Sequence, residues 1–342
     1  MTEKDISKWL KQSKIDFIEN FDVSKRSWLK AGGIIKLFIT PNSIEQIKKI
    51  IHYFKTNQIN FYVLGNISNT IIRNGVIKTP IINLRKMSKI RLKQNTKGLE
   101  FFAEAGVSIP RLSFWIAKNG FKGSEGLVGI PGSLGGGIYM NASSYNNEVT
   151  KFINHVTFID KSGNIIELKK NELKLEWRKS IFHNKNYIIL GASFCIPNEN
   201  RSDKRETLLD IEKVKSHRYN FQENEYPNLG SLFATKNIYS DLKYLSFKFF
   251  FLYLFFKINL ILINNKIIKK NIHEFRRKIN FEYLKDLNLD QFKEFSLSDK
   301  TINCLINKGT SDSTEAINLV NFFNLRIKEK VKLENIILDK IL

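Results

Sequence analysis

The sequence predicts an α+β protein of two or three domains, and three observations lead there. Its 342 residues exceed the size at which a single core usually stops growing. Short apolar runs with strand-like spacing are interleaved with a few helical segments. A polar stretch, PNENRSDKRE at 197–206, reads as a linker between them and a third region. With 42% hydrophobic and 12% aromatic residues, the composition is that of a globular chain, neither disordered nor a disulfide scaffold.

The elements follow in order. MTEKDISKWLKQSKIDF reads as an amphipathic first helix, charged throughout and lacking the apolar run and small-residue cleavage site of a secretory signal. IIKLFIT predicts a strand, SIEQIKKIIHYFKTNQ a helix and NFYVLG a second strand, together a β-α-β unit. Ser43 is placed to cap the helix, with Gln46 completing a capping box. From about Ile82 to Pro197 the runs LEFFAEAGV, FINHVTFID and NYIILGASFCI predict strands, with DKSGN at 160–164 as a hairpin turn. One helix, SIPRLSFWIAKNG, interrupts them, and Gly120 is its expected C-terminal stop.

FKFFFLYLFFKINLILIN, residues 247–264, needs a membrane test. Its longest unbroken apolar run is Phe249 to Phe256, after which Lys257 and Asn259 intervene, whereas a spanning helix wants ~20 mostly apolar residues. It reads as a buried element in preference to an interfacial amphipathic helix, although flanking lysines keep the second reading open.

The net charge of +22 would attract nucleic acid, nucleotides or anionic lipid. The lysines are spread along the chain among abundant Ile and Asn, with no basic cluster interleaved with aromatics, so no nucleic-acid partner is expected. Cys195 and Cys304 lie far apart, outside any CxxC spacing, which implies no metal site and a cytoplasmic location.

The stretch GSEGLVGIPGSLGGG, 123–137, holds seven of the chain's 18 glycines. Glycine permits φ > 0 and lets a ligand approach the main chain, and successive exposed N–H groups would form an anion cradle suited to a pyrophosphate or a flavin ring. A tight turn would need one or two glycines. Neither G-x-G-x-x-G opening a helix after a strand nor G-x-x-x-x-G-K-[ST] is present, so this is not an ordinary Rossmann or P-loop site.

EGLVGIPGSLGGGIYMNASSYNNE, 125–148, resembles the flavin-binding signature of the UDP-N-acetylenolpyruvoylglucosamine reductase family, and further matches occur in that family's order. They are SWLKAGG (27–33), LGNISN (64–69), AEAGV (103–107), WRKSIF (177–182) and YPNLGSLF (226–233), so the resemblance covers roughly residues 20–235. It implies a two-subdomain FAD-binding module of the vanillyl-alcohol-oxidase type, at 1–78 and 79–200. An α+β substrate-binding domain would follow at 205–342, with a Phe-rich insertion about 240–275. It also implies FAD and NADPH as cofactors and a UDP-sugar as substrate. In that family NADPH reduces the flavin, hydride passes to C3 of the enolpyruvyl group, and a serine protonates C2.

Carried over residue by residue, the resemblance assigns Ser231 as the proton donor and Arg178 as the catalytic arginine. By themselves these would read as a turn serine and a surface ion-pair residue. Gly65, Ser68, Asn69, Gly106, Gly129, Ile130, Pro131, Gly132, Ser133, Gly135, Gly136 and Asn141 become cofactor-binding candidates. Tyr145 and Arg218 become substrate-binding candidates, Tyr145 with core packing as an equal alternative. An FAD-dependent oxidoreductase of the same fold with another substrate, or a non-catalytic anion- or membrane-binding relative, stays open as an alternative.

The sequence departs from the family at four places. Ile67 stands where the pyrophosphate loop has its second glycine, so the loop is expected to bend differently or hold the cofactor less well, and Ile67→Gly to tighten FAD if the bend is kept. Thr235 replaces a substrate-binding asparagine, with its hydroxyl as a candidate substitute. Phe233 to Ser298 is longer than the family norm by one to two helices, and beyond it SDKTINCLINKGTSDSTEAINLV resembles the last strand and helix. Ile336 occupies the place of a C-terminal glutamate that assists protonation; Glu334 lies two residues away, where a shifted strand register would bring it in, and no catalytic role is carried onto it.

Overall fold

The computed structural model describes residues 2–93, 98–183, 187–265, 271–327 and 331–338. The first helix, Glu3–Gln12, is capped by Thr2 in a reciprocal box with Asp5. Its buried Ile6 and Leu10 and the stack of Trp9 on Tyr53 (ring centroids 3.8 Å apart) dock it on the Ile44–Thr56 helix. Ser43 caps that second helix as expected, but Gln46 returns its side chain to the N–H of Asn42, so the box closes one residue early. The strands flanking this helix, Ile34–Ile39 and Tyr62–Val63, lie parallel in one sheet with Ile81–Ile82 between them.

The second sheet is antiparallel in the spatial order Ile165–Lys169, Ile153–Ile159, Ile188–Pro197, Gly98–Glu104, Ile90–Lys93. Alternation sets its faces: Leu99, Phe101 and Ala103 are buried in one strand, and Phe101 stacks on Phe194 of the next. The 160–164 turn forms as predicted, with the Asp160 N–H bonded to the Asn164 carbonyl at 3.0 Å and the Asp160 carboxylate accepting from two turn N–H groups. The Ile109–Lys118 helix stops at Gly120, whose φ of +76° is left-handed. One continuous apolar core runs from Ile6 to Ile196, joining both sheets.

The polar stretch at 197–206 is docked rather than a free linker. Phe121 bridges to Arg201, the Lys122 N–H bonds the Asn200 carbonyl, and Asp203 caps the Lys204–Phe221 helix. That helix packs back on Ala117 and Val128 through Ile211. Polar composition marks an exposed path here, and the backbone of that path is tied down by ladder-like bonds.

The third region centres on a three-stranded sheet, Asn228–Ser231, Cys304–Asn307 and Phe295–Leu297, with the Thr314–Ile327 helix packed on it. The extra length is two helices, Phe247–Asn264 and Ile272–Leu287. Residues 266–270 of the Phe-rich segment lie outside the described residues. The expectation of a buried Phe-rich element is corrected. Phe249, Tyr253, Phe256 and Asn259 are buried, but Phe247, Phe250, Phe251, Leu254, Phe255, Ile258 and Ile261 are exposed. A helix packed on one side of a core has one face covered, and this one carries apolar residues on both faces, with Lys248 and Lys257 between them. Among the described residues it is the one helix long and apolar enough to cross a membrane, by length and composition alone. Finally, Ile336–Leu338 returns to pair in parallel with Thr70–Ile72, bringing the chain's end to its first quarter.

Candidate active site

A cleft of about 1260 Å³ opens where the three regions meet. Its walls come from the 65–69 loop, the glycine-rich 128–137 segment, Gly106, Arg178, Arg218, the strand at 228–231 and the 336–338 strand with Glu334 before it. Every predicted site residue except Asn141 and Tyr145 lies in that wall.

The glycine run is not a bare loop. It forms a 3-10 turn, Glu125–Gly129, and a short helix, Leu134–Tyr139, capped by Ser133. This corrects the expected row of free N–H donors. The N–H groups of Ile130, Gly132, Leu134, Gly135, Gly136 and Gly137 all bond within the protein, those of Leu134 and Gly135 to Val107 and Ala105 in the AEAGV motif. The glycines provide closeness instead. A Cβ on Gly129 would sit 1.8 Å from Arg218 Nε, whereas one on Gly136 would meet no atom nearer than Ser133 Oγ at 3.5 Å, so bare main chain faces open space.

The loop opposite is held by Asn83, whose Nδ2 donates to the Leu64 and Gly65 carbonyls at 2.8 and 2.7 Å. Ile67 does not make it bend differently: its φ is +51°, the left-handed region a glycine would adopt. The strain of ~1–2 kcal/mol is offset by burial, since Ile67 is 5% exposed and packed with Phe21, Phe38 and Ile72. Ile67→Gly therefore relieves strain but opens a cavity costing more, ~2–5 kcal/mol. The expected outcome is a lower melting temperature with no gain in FAD affinity, read by thermal unfolding and flavin titration. A tighter FAD complex would mean the strain dominates.

Ser231 ends its strand at a bulge. The register shifts between Asn228 and Ser231, Gly230 takes φ +73°, and the Asn228 side chain accepts from the Gly230 N–H at 3.0 Å. The bulge leaves Ser231 exposed at the cleft while Leu229 and Leu232 on either side are buried. Arg178 sits at the tip of a tight turn closed by paired bonds between Glu176 and Lys179, itself at φ +56°. Its Nε lies 2.8 Å from Glu334 Oε1, both side chains 14% exposed, and its Nη1 reaches the Ser143 hydroxyl at 3.3 Å. The Nε–H is not aligned on the carboxylate, so this is a charge contact first.

Glu334 is brought in by backbone. Its N–H bonds the Leu232 carbonyl and its carbonyl accepts from Asn69 Nδ2 at 3.0 Å, while Asn335 donates to both Asn69 and the Ser231 carbonyl. Burial pushes the Glu334 carboxyl above the usual carboxylate range, with the Arg178 charge opposing. Ile336 lines the wall as an apolar residue. Arg218 is held by the Gly129 carbonyl at 2.7 Å, by Gln222 and by the Ser144 hydroxyl, and burial lowers its pKa.

Two predicted residues stand behind the wall. Asn141 is buried, with its amide committed to the Glu176 carbonyl and the Thr150 hydroxyl, so it braces the Arg178 turn. Tyr145 has its ring 5.5 Å from the Arg218 guanidinium carbon and its hydroxyl 2.7 Å from His217 Nδ1, so it supports Arg218. The Thr235 hydroxyl bonds the Asp241 carboxylate and accepts from the Asn237 N–H, and Thr235 is not in the cleft wall. Sequence reasoning left Ser143, Ser144 and Asn335 unnamed; the first two lie inside the recognised MNASSY run, where the hydroxyls were the available signal.

The FAD binding domain family matches residues 35–169. The UDP-N-acetylenolpyruvoylglucosamine reductase of Clostridium novyi (strain NT) is 33% identical over 231 residues, 67% of this chain and 73% of that protein. The one from Clostridium tetani (strain Massachusetts / E88) is 28% identical over 305 residues, 89% of this chain and 85% of that protein. The crystal structure of the Thermus caldophilus enzyme of that name superposes with a TM-score of 0.64 at 18% identity, covering 94% of this chain and 98% of that one, and establishes the shared fold. With the two-part α+β module, the glycine-walled cleft and these relatives together, the chain belongs to the UDP-N-acetylenolpyruvoylglucosamine reductase family.

Proposed function

We propose that this protein reduces UDP-N-acetylglucosamine enolpyruvate to UDP-N-acetylmuramate in the cytoplasm, with FAD as carrier and NADPH as reductant, in peptidoglycan precursor synthesis. The observation that carries the reading is the meeting of Ser231, Arg178 and Glu334 in one cleft wall, beside the main chain left bare by the glycine run.

The residues present fit FAD. The cleft has room for a dinucleotide, bare main chain at Gly136 offers a flat approach, and the Ser68 and Asn69 loop closes the other side. In this reading Gly65, Ser68, Asn69, Gly106 and the 129–136 segment hold FAD, which would supply hydride transfer. Hydride addition at C3 of the enolpyruvyl group leaves negative charge at C2, spread onto the adjacent carboxylate. Arg178, held in place by Glu334 and Ser143, stabilises that charge as it develops. Ser231 delivers the proton to C2. A serine hydroxyl is a weak acid, so it works against a strongly basic carbon and beside a proton source. In this reading Glu334, buried beside Arg178 with its carboxyl's pKa raised by that burial, takes that role when it carries a proton. Arg218 anchors the substrate's diphosphate.

The test is stopped-flow absorbance on the FAD-loaded protein, reduced with NADPH and then mixed with the enolpyruvyl substrate. Bleaching followed by recovery on substrate addition supports the proposal. Bleaching without recovery would assign the flavin module to another substrate, and failure to bind FAD would remove the reading altogether.

A further inference from the structure

We infer that the exposed face of the Phe247–Asn264 helix docks on the surface of an anionic lipid bilayer, lying in its plane. At 3.6 residues per turn the exposed apolar residues from Phe247 to Ile261 fall on one side of the helix. They are strongly exposed: Phe247 84%, Phe251 60%, Ile258 56% and Phe255 51%. On the opposite side Phe249 and Phe256 join the core around Tyr283, and buried Tyr253 lies beneath the Lys243 and Lys257 ammonium groups. An apolar patch of this extent marks a contact surface.

Charge selects the occupant. The same helical geometry puts Lys248 on one edge of the stripe and Lys257 on the other, both exposed, Lys248 paired with Asp286 at 2.6 Å. Residues 247–264 contain no Asp or Glu, and the whole chain carries +22. Lysines at the rim of an apolar stripe can lay their stems along it and set their ammonium groups at the level of lipid phosphates. Phenylalanine and isoleucine between them suit a fluid acyl boundary. A second copy of the chain fits less well, because pairing two such faces sets lysine rims together with no carboxylate from the helix to neutralise them. Spanning is disfavoured too. Eighteen residues reach about 27 Å against a core of ~30 Å, and insertion would strip Phe249 and Phe256 from the core.

The experiment is co-sedimentation of the FAD-loaded full chain with vesicles of phosphatidylcholine, alone or with about 30% phosphatidylglycerol. Binding to the anionic vesicles, little to the neutral ones, and weakening as salt rises from ~0.1 to ~0.5 M are expected. Phe247→Ser with Phe251→Ser should lower partitioning at least about tenfold while leaving melting temperature and turnover unchanged, since both side chains are exposed, their ring contacts are with each other and with exposed Phe250, and neither lines the cleft. Lys257→Glu, which also gives up the 5.5 Å approach of the Lys257 ammonium to the Tyr253 ring, should weaken binding to anionic vesicles only. Absence of binding to anionic vesicles overturns the inference. So does equal binding to neutral ones, or a soluble dimer, seen by sedimentation velocity, that the double substitution dissociates.

Discussion

Under the proposed function, Ser231→Ala is expected to leave reduction of the bound flavin by NADPH unchanged and to slow its reoxidation by the enolpyruvyl substrate by about 10²- to 10⁴-fold, the span of positioned acid catalysis. The asymmetry follows from the site. Ser231 is presented by a strand bulge whose neighbours Leu229 and Leu232 stay buried, so removing one oxygen disturbs neither the sheet nor the glycine wall. The hydroxyl is needed only where a proton reaches carbon. Stopped-flow traces of the two half-reactions separate these cases. Equal slowing of both would mean Ser231 shapes the cleft, and the proton donor would have to be sought elsewhere.

Glu334→Gln is expected to slow the same second half-reaction by about 10²-fold and to flatten its pH profile. Burial holds the Glu334 proton above the ordinary carboxylate range. The acid form is therefore complete below the unfolded carboxylate's pKa, persists beyond it, and is lost as pH rises through the raised folded pKa. The wild-type rate should fall along that limb, and the glutamine variant should not. Folding is linked to the same proton with the same sign: the folded state binds it more tightly, so the stability it contributes is present at low pH and lost as pH rises through the folded value. If the glutamine variant keeps the wild-type rate and pH profile, Glu334 is merely the counter-ion of Arg178. Should Ile336→Glu then accelerate it, the family's usual position still governs the acid.

Local chemistry was readable in the chain. The Ile44–Thr56 and Ile109–Lys118 helices, the strands at 153–159 and 188–197, and the 160–164 turn lie where apolar spacing, caps and turn residues put them, because each depends on neighbours within a few residues. Motif order pointed to Ser231 and Arg178, and both line the cleft. What the sequence by itself determined was thus the α+β module, its glycine-rich wall and two side chains, Ser231 and Arg178, that line the cleft. Tertiary structure decided the rest. It spent the N–H groups of Leu134 and Gly135 on the Val107 and Ala105 carbonyls, a partnership no local pattern specifies. It kept Ile67 left-handed because a core from distant strands absorbs its side chain. It turned Asn141 and Tyr145 into braces, and left one whole face of a mostly apolar helix in solvent, since hydrophobicity says how much surface seeks cover but not which partner supplies it. It also brought Glu334 to Arg178: the residue precedes the Ile336–Leu338 strand and is placed by that strand's parallel pairing with Thr70–Ile72 and by its own N–H bond to the Leu232 carbonyl.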